Sequence, residues 1–420
     1  MKDKKSAHTI AKEIMSKHHF ATLKENSEVL HYDRSGIYIK GGEVLIREQV
    51  QQLCEHNAST FFANEVIGHI QRSTYISIDN IDADTNVINC RNGLYNIKDD
   101  KLIKHMPEYY SVAQLPIRHG AKALCPNVER FLQQVFDGTD IEVVKEFIGF
   151  LLIRKYIFHK ALMVTGDTHT GKTTFLRLLQ TFLGKQNISS VSLQDLCDNR
   201  FAKADLFGKI ANISDDLPAN AVKYSGQFKQ LTGESAIRAE KKFRDGFDYF
   251  NNAKIIFACN EIPPAHSGDE AYYYRWLIIE TNHKFTGNGC KRNIIDDLTT
   301  ERELSGLLNM AIEYRQKLLQ QNDFSYSTDI AYATRKYMLA VKDSVAKFAA
   351  NKLQSNGDSV IEKNQLYNYY IEWCTDMEMA YKEPNAFHRR LQTLLENKIE
   401  DYRPIRDGER IMAYKGIKIK

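Results

Sequence analysis

The chain has 420 residues, of which 43% are hydrophobic and 26% are charged, and its formal net charge is only +4. These values are ordinary for a soluble globular protein of roughly two to four domains, so any basic surface must be local. No run approaches the about 18 consecutive apolar residues of a membrane span, and the polar, lysine-rich start is not typical of a signal peptide. The seven cysteines are scattered without a C-x-x-C pair, which argues against a zinc site and against disulfides. We therefore expect a protein of a reducing compartment, the cytoplasm.

The first part of the chain predicts a small α+β unit followed by helices. Residues 28–32 and 36–40 are strand-like runs that predict a hairpin about residues 33–35, in a unit that carries no recognisable chemistry. Residues 125–160 favour helices, and we expect them to form a collar before the segment that follows.

The segment 166–173 fits the pattern G-x-x-x-x-G-K-[ST] in full. An apolar run at 161–164 predicts a buried strand before it, and residues 174–179 have helical periodicity after it. In such a loop the backbone N–H groups and the helix N-terminus surround a phosphate, Lys172 reaches the β- and γ-phosphates, and Thr173 holds Mg²⁺. A chance glycine loop is the alternative. The sequence therefore predicts an ATP and Mg²⁺ site formed by Gly166, Asp167, Thr168, His169, Thr170, Gly171, Lys172, Thr173 and Thr174.

Residues 209–216 form an apolar run that ends in two acids, Asp215 and Asp216. A carboxylate at the carboxyl end of a strand beside the phosphate loop can hold Mg²⁺, and a second one can polarise the attacking water. We assign Asp215 to the metal and Asp216 to the water; a surface turn after a strand is the alternative.

A further apolar run at 253–259 ends in Asn260, and Arg275 comes just before the apolar run 276–279. A buried amide at position 260 can hydrogen-bond the γ-phosphate or the lytic water. An arginine at the mouth of a strand can stabilise transition-state charge as an arginine finger, typically worth about 10³–10⁵ in rate. The alternatives are an ordinary turn at Asn260 and a surface arginine that pairs with a neighbour.

Between the apolar runs 209–216 and 253–259, residues 235–243 and 247–250 are alternating runs about an Asp-Gly turn, which predicts a β-hairpin. Its tip carries Lys241, Lys242 and Arg244. A projecting cationic hairpin in an ATPase core can grip a nucleic-acid backbone, whereas an ordinary solvated hairpin is the alternative.

The phosphate loop, the strand with two acids, the basic hairpin and the strand ending in Asn follow in this order within residues 166–260. This order resembles the superfamily-three helicases, which are AAA+-related ring motors of viruses, phages and plasmids. More narrowly, the chain resembles the phage, plasmid and poxvirus type of primase-helicase, since residues 89–95, 125–132 and 146–152 are similar to the region before that family's motor. It departs from the family at residues 233–235, where Gly-Gly-Asp is usual, and in its single Arg275, where paired arginines are frequent.

The resemblance implies an α/β fold with a P-loop AAA+-like motor core, an inserted β-hairpin, a helical collar before the core, a small N-terminal α+β domain and a C-terminal winged-helix-like domain. It also implies a homo-hexameric ring that translocates 3′ to 5′ on single-stranded or forked DNA, with Arg275 acting in trans. A separate primase or other replication protein is a candidate partner, and no membrane is expected. The resemblance also implies a location in the cytoplasm of a prokaryotic host cell or of an infected cell. The domains implied are 1–75 (N-terminal), 76–160 (linker and collar), 161–287 (ATPase core), 288–334 (helical lid or linker) and 335–420 (winged-helix-like).

The C-terminal segment supports a second nucleic-acid contact. Residues 335–420 contain 16 lysines and arginines against 12 acids. Helices are predicted at 365–374 and 385–395, and two strands around 407–408, which is winged-helix order. The second helix, with Arg389 and Arg390, is then the one presented to a DNA groove. An interaction domain that never touches DNA is the alternative.

The leading interpretation is an ATP-dependent replicative DNA helicase of a virus, phage or plasmid. An RNA-directed superfamily-three ATPase is one alternative, and a non-motor ATP switch that loads or regulates replication partners is another. The collar similarity and the C-terminal helices favour DNA, and the basic hairpin tip argues against the switch.

Overall fold

The fold is that of a computed structural model, which describes residues 5–55, 58–215, 217, 225–240, 246–260, 270–286, 293–326, 334, 343–377, 379, 381–396, 398–406 and 409–420. Within these ranges, no helix combines the length and the apolar character needed to cross a membrane.

The N-terminal unit packs three helices on a four-stranded sheet of order β3-β2-β1-β4. Ser6 and Ser59 begin two of these helices, because their hydroxyls accept the N–H groups of Thr9 and Phe62. The hairpin predicted about residues 33–35 is confirmed, since β2 and β3 pair antiparallel. The elements are α1 (Ala7–Lys17), β1 (Phe20–Leu23), β2 (Val29–Tyr32), β3 (Tyr38–Lys40), α2 (Gly42–Cys54), α3 (Thr60–Ser73) and β4 (Tyr75–Ile76).

A small antiparallel sheet and two helices lie between the N-terminal unit and residue 161. Asn89 of this sheet and Gln114 of the segment after it hold the N-terminal unit, because their side-chain amides donate to the carbonyls of Gly36 and Ser35 at 3.0 and 2.6 Å. Both amide side chains are buried, so the N-terminal hairpin is anchored by a polar cluster that excludes water. The elements are β5 (Val87–Cys90), β6 (Gly93–Asn96), β7 (Lys101–Ile103), α4 (Pro126–Val135) and α5 (Asp140–Phe150).

The two collar helices are fixed to a long helix that follows the central sheet, α11 (Glu301–Gln321), itself preceded by α10 (Ile294–Leu298). The Glu303 carboxylate accepts the N–H groups of Asn127 and Val128 at 3.1 and 3.0 Å, so it caps the N-terminus of α4. Helix α11 also lies so close to α5 that a Cβ on Gly149 would be 2.5 Å from the backbone nitrogen of Arg315.

The central sheet has five parallel strands in the order β14-β8-β13-β10-β9. Strands β8 and β13 are buried along almost their whole length, as expected for strands covered on both faces. Because the strands are parallel, the residues that follow β8, β10 and β13 share one edge of the sheet. The elements are β8 (Ala161–Gly166), α6 (Lys172–Leu183), β9 (Ile188–Ser189), α7 (Leu193–Asp198), β10 (Ala211–Ser214), β13 (Lys254–Cys259), α9 (Glu270–Tyr273) and β14 (Trp276–Thr281).

The predicted hairpin is present between β10 and β13 as β11 (Ala236–Ala239) and β12 (Phe247–Phe250), which pair antiparallel. Helix α8 (Ser225–Leu231) comes directly before it. The hairpin packs against Phe207, which lies just before β10. The Phe207 ring centroid is 5.3 Å from that of Phe247 and 5.4 Å from that of Tyr249.

The C-terminal unit has its own apolar core, which includes Phe348, Tyr370 and Phe387. The two predicted helices and the strand pair about 407–408 are present, although those two turn residues lie outside the described part. A helix and a long strand that the sequence analysis did not predict come before them. The elements are α12 (Ser344–Lys352), β15 (Leu353–Glu362), α13 (Lys363–Asp376), α14 (Pro384–Leu394), β16 (Glu400–Tyr402), β17 (Ile405–Arg406), β18 (Glu409–Arg410) and β19 (Ala413–Ile419).

Candidate active site

The phosphate loop joins the buried strand β8 to helix α6 at the carboxyl edge of the sheet. Gly166 and Gly171, at its two ends, have φ angles of 149° and 91°. A Cβ on Gly171 would lie 2.7 Å from Val135 Cγ2, so glycine is needed for conformation and for space. Lys172 is the first residue of α6, and the N–H groups of this first turn have no partner within the helix. The loop therefore has the backbone of an anion site.

The Lys172 side chain is buried, and its ammonium group lies inside the loop. It donates to the carbonyls of Gly166 at 2.7 Å and Asp167 at 2.5 Å. Burial lowers the pKa of Lys172 from its ordinary value. A phosphate that enters the loop thus meets an ammonium group already positioned at its centre.

Three buried threonines support the loop: Thr170 within it, and Thr165 and Thr281, which the sequence analysis did not predict. The hydroxyls of Thr170 and Thr281 share a hydrogen bond of 2.7 Å, and that of Thr281 also donates to the Thr165 carbonyl at 3.1 Å. Thr281 ends β14, so this contact ties the loop to a neighbouring strand far away in sequence. No local pattern marks such a residue.

The residues after β14, 282–285, form a strap along the loop. Lys284 forms an ion pair with Asp167 at 2.7 Å, and the Phe285 N–H donates to the His169 carbonyl at 2.8 Å. The hydrogen bond from Lys284 lowers the pKa of the Asp167 carboxyl. On its other side the strap reaches the collar, since His283 contacts the Asp137 carboxylate at 2.6 Å.

A cavity of about 500 Å³ opens beside the loop, and the loop contributes His169, Gly171 and Thr174 to its wall. Helix α4 contributes Arg130 and helix α10 contributes Asp297. A cavity of the same volume lies near the root of the hairpin, where Gly233, Tyr249 and Asn252 are part of its wall. Of these two cavities, the one beside the loop adjoins the anion site, which is the arrangement that a nucleotide with its base and phosphates requires.

The predicted metal ligands Thr173 and Asp215 lie along the same edge. Thr173 and Asp215 are both exposed, and Asp215 comes directly after β10. Asp216 lies outside the described residues. The expectation of a buried amide at Asn260 is wrong: this residue is exposed, because it lies one position beyond the buried strand β13.

Arg275 lies at the other edge of the sheet from the phosphate loop. It comes directly before β14, and β14 is paired in parallel with β8 so that Trp276 is opposite Ala161 and Thr281 opposite Gly166. At about 3.3 Å per residue, this register separates Arg275 from Gly166 by about 20 Å, well beyond the reach of an arginine side chain. Arg275 therefore does not reach the phosphate loop of its own chain.

The predicted nucleic-acid residues fall into two groups. Lys241, Lys242 and Arg244 lie outside the described residues. On α14, Arg389 is exposed, whereas Arg390 forms an ion pair of 2.6 Å with Asp343, the N-cap of α12. Arg390 thus also has a role in joining two helices of its own unit.

Two family models match the chain. The model described as D5 N terminal like matches residues 4–137, and a family of unknown function, DUF5906, matches residues 164–275. Among curated proteins, the putative helicase 184R of Invertebrate iridescent virus 6 is 22% identical over 277 residues, covering 60% of this chain and 27% of that protein. The chain therefore spans about a quarter of the length of this relative.

Solved structures of the NrS-1 C-terminal region have a similar fold. Its apo A form aligns with a TM-score of 0.54 and 14% identity, over 99% of this chain and 100% of that one. A second apo structure of this region aligns with a TM-score of 0.51 and 12% identity, again over 99% and 100%. The chain is thus a mixed α/β protein with this fold. With the D5 match and the viral helicase, the resemblance to the phage and viral primase-helicase type is confirmed.

Proposed function

We propose that the chain is an ATP-dependent replicative DNA helicase of a virus, phage or plasmid. The observation that carries this proposal is the Lys172 ammonium group, held within a glycine loop between a buried parallel strand and a helix N-terminus. The matches to a D5-like family and to a putative viral helicase support the same class. In this proposal, residues 161–287 are the P-loop AAA+-like motor.

The residues around the loop fit ATP with Mg²⁺. The loop N–H groups and Lys172 bind the phosphates, and the cavity between α4, α10 and the strap receives the base. Thr173 and Asp215 offer the oxygen ligands that Mg²⁺ prefers. Bound there, Mg²⁺ would neutralise developing phosphate charge. In this proposal Asp216 orients the attacking water and the exposed Asn260 contacts the γ-phosphate.

The proposed nucleic-acid contacts are the hairpin tip and the C-terminal unit. Lys241, Lys242 and Arg244 bind the phosphates of a single strand, along which the motor moves 3′ to 5′. The C-terminal order of helix, strand, two helices and antiparallel strands supports a winged-helix domain that presents α14 and Arg389 to a duplex.

The distance between Arg275 and its own phosphate loop supports a ring. An arginine about 20 Å from the site in its own chain serves catalysis only from a neighbouring subunit, so we propose a homo-hexamer with Arg275 in trans. A separate primase is a candidate partner of this assembly.

The test is unwinding of matched DNA and RNA forks by the wild type, Lys172→Ala and Lys185→Ala. Lys185 is an exposed lysine just after α6 and serves as the control. We expect the wild type and Lys185→Ala to unwind the DNA fork with ATP and Mg²⁺, and Lys172→Ala to be inactive because the phosphates lose their main cation.

Each other outcome selects a different function. Unwinding of the RNA fork alone would favour an RNA-directed ATPase. ATP hydrolysis that single strands do not stimulate, without unwinding, would favour a non-motor switch. Full activity of Lys172→Ala would overturn the assignment of the phosphate loop.

A further inference from the structure

Arg275 is bound within its own chain to the root of the hairpin. One guanidinium nitrogen, Nη1, donates to the carbonyl of Thr232 at 2.9 Å and to its hydroxyl oxygen at 3.1 Å. Thr232 is fully buried and comes directly after α8, and its hydroxyl donates in turn to the Phe228 carbonyl at 2.7 Å. Arg275 therefore caps the carboxyl end of α8, where a cation is favourable.

The same helix end is bound to the returning strand of the hairpin. Asn251, which follows β12 and is buried, donates from its side-chain amide to the Leu231 carbonyl at 2.7 Å. On the other side, Thr232 is separated from the first strand, β11, by only residues 233–235. The start of β11 and the end of β12 are thus both connected to the end of α8, to which Arg275 is hydrogen-bonded.

Aromatic packing makes this assembly stiff. The Phe228 ring of α8 stacks on Trp276 with centroids 4.4 Å apart and meets the edge of Tyr272 at 5.2 Å. These three side chains are essentially inaccessible to solvent, and Tyr272 and Trp276 are on either side of Arg275 in sequence. The turn that carries Arg275 and the helix that leads into the hairpin therefore pack directly against each other.

We propose that Thr232 is a positioning residue that couples the nucleotide of a neighbouring subunit to the hairpin of this one. The coupling rests on the proposed ring with Arg275 in trans. As Arg275 follows the phosphates of the neighbour from ATP to products, its hydrogen bonds to Thr232 move the end of α8, and with it the root of β11 and β12. The hairpin tip then moves along the nucleic acid each time the neighbouring subunit hydrolyses ATP.

The experiment compares Thr232→Val with Thr232→Ser. Valine keeps the shape but removes the hydroxyl, whereas serine keeps the hydroxyl. Thr375→Val is the matched control, because the Thr375 hydroxyl makes the same bond to the carbonyl four residues before it, on α13. We measure ATP hydrolysis with and without single-stranded DNA, fork unwinding and thermal unfolding for each variant.

We expect Thr232→Val to keep its basal ATPase rate within about threefold and to lose roughly tenfold in stimulation by DNA and in unwinding, which is the effect of losing one hydrogen bond to a charged group. Thr232→Ser and Thr375→Val should behave as the wild type. If valine lowers the unfolding temperature, the smaller Thr232→Ala repeats the test.

Wild-type stimulation in Thr232→Val would overturn the coupling. Parallel loss of basal and stimulated rates in the valine and alanine variants would also overturn it, because Thr232 would then only support the fold or the arginine. A failure of the proposed function is distinct, since the wild type itself would then show no ATP hydrolysis stimulated by DNA.

Discussion

Replacing Gly171 with alanine tests whether the collar shapes the nucleotide site. Gly171 has a φ of 91°, and an added Cβ would meet Val135 Cγ2 at 2.7 Å and Phe285 Cε2 at 3.4 Å. The left-handed conformation costs a residue with a Cβ about 1–2 kcal/mol, and overpacking a filled site costs about 1–3 kcal/mol more. If the loop moves to relieve the contact, this second cost appears as a rise in Kd for ATP of about 5- to 150-fold.

Gly41→Ala is the matched control for Gly171→Ala. Gly41 has a φ of 97° and directly precedes helix α2, as Gly171 precedes α6, but no atom lies within 4 Å of its added Cβ. We expect Gly41→Ala to lower the free energy of unfolding by about 1–2 kcal/mol and to leave nucleotide binding unchanged. Urea unfolding and titration with a fluorescent ATP analogue measure the two effects.

A second substitution, in the collar helix α4, tests the contact between Val135 and the residue at position 171. Val135→Ala removes the methyl groups that an alanine at position 171 would strike, so it should restore most of the affinity lost in Gly171→Ala while the backbone strain remains. Wild-type affinity in Gly171→Ala, or no recovery in the double variant, would refute the reasoning.

Three further predictions concern catalysis and the grip on DNA. Asp216→Asn should bind ATP and barely hydrolyse it in a phosphate-release assay; wild-type turnover would exclude Asp216 from the site. Changing Lys241, Lys242 and Arg244 together to alanine should abolish DNA-stimulated ATPase, and each lost phosphate contact should reduce the log–log salt dependence of single-strand binding by about 0.7; an unchanged slope would locate the grip elsewhere. Arg275→Ala should bind ATP yet be nearly inactive, because the finger acts on the transition state. Mixing it with Lys172→Ala should restore part of the activity, and no recovery in verified mixed rings would contradict a role in trans.

The features predicted from sequence are those that local patterns encode. Strands β8, β10, β13 and β14 are short apolar runs, and the phosphate loop has a fixed spacing of glycines and lysine. Strand β15 was missed because Asn356 and Gly357 are typical of turns; the structure accommodates them with a shift in register against β19 between Asn356 and Val360.

The contacts that support the site depend on distant parts of the chain, which is why the sequence did not reveal them. Thr281 contacts Thr170 across more than a hundred residues, and Arg275 contacts Thr232 across a whole hairpin and the strand β13. The exposure of Asn260 likewise depends on where β13 ends, and one residue decides between the two environments.

The separation of Lys172 and Arg275 on opposite edges of one parallel sheet requires a second subunit for any site that the two residues complete together. In a two-fold dimer, residue i of one partner contacts residue j of the other and j contacts i, so such a dimer completes both of its sites or neither. A head-to-tail contact completes one site per interface, and it closes into a ring or continues as a filament. An open row of subunits always has one complete site fewer than it has subunits, and only closure supplies the last one.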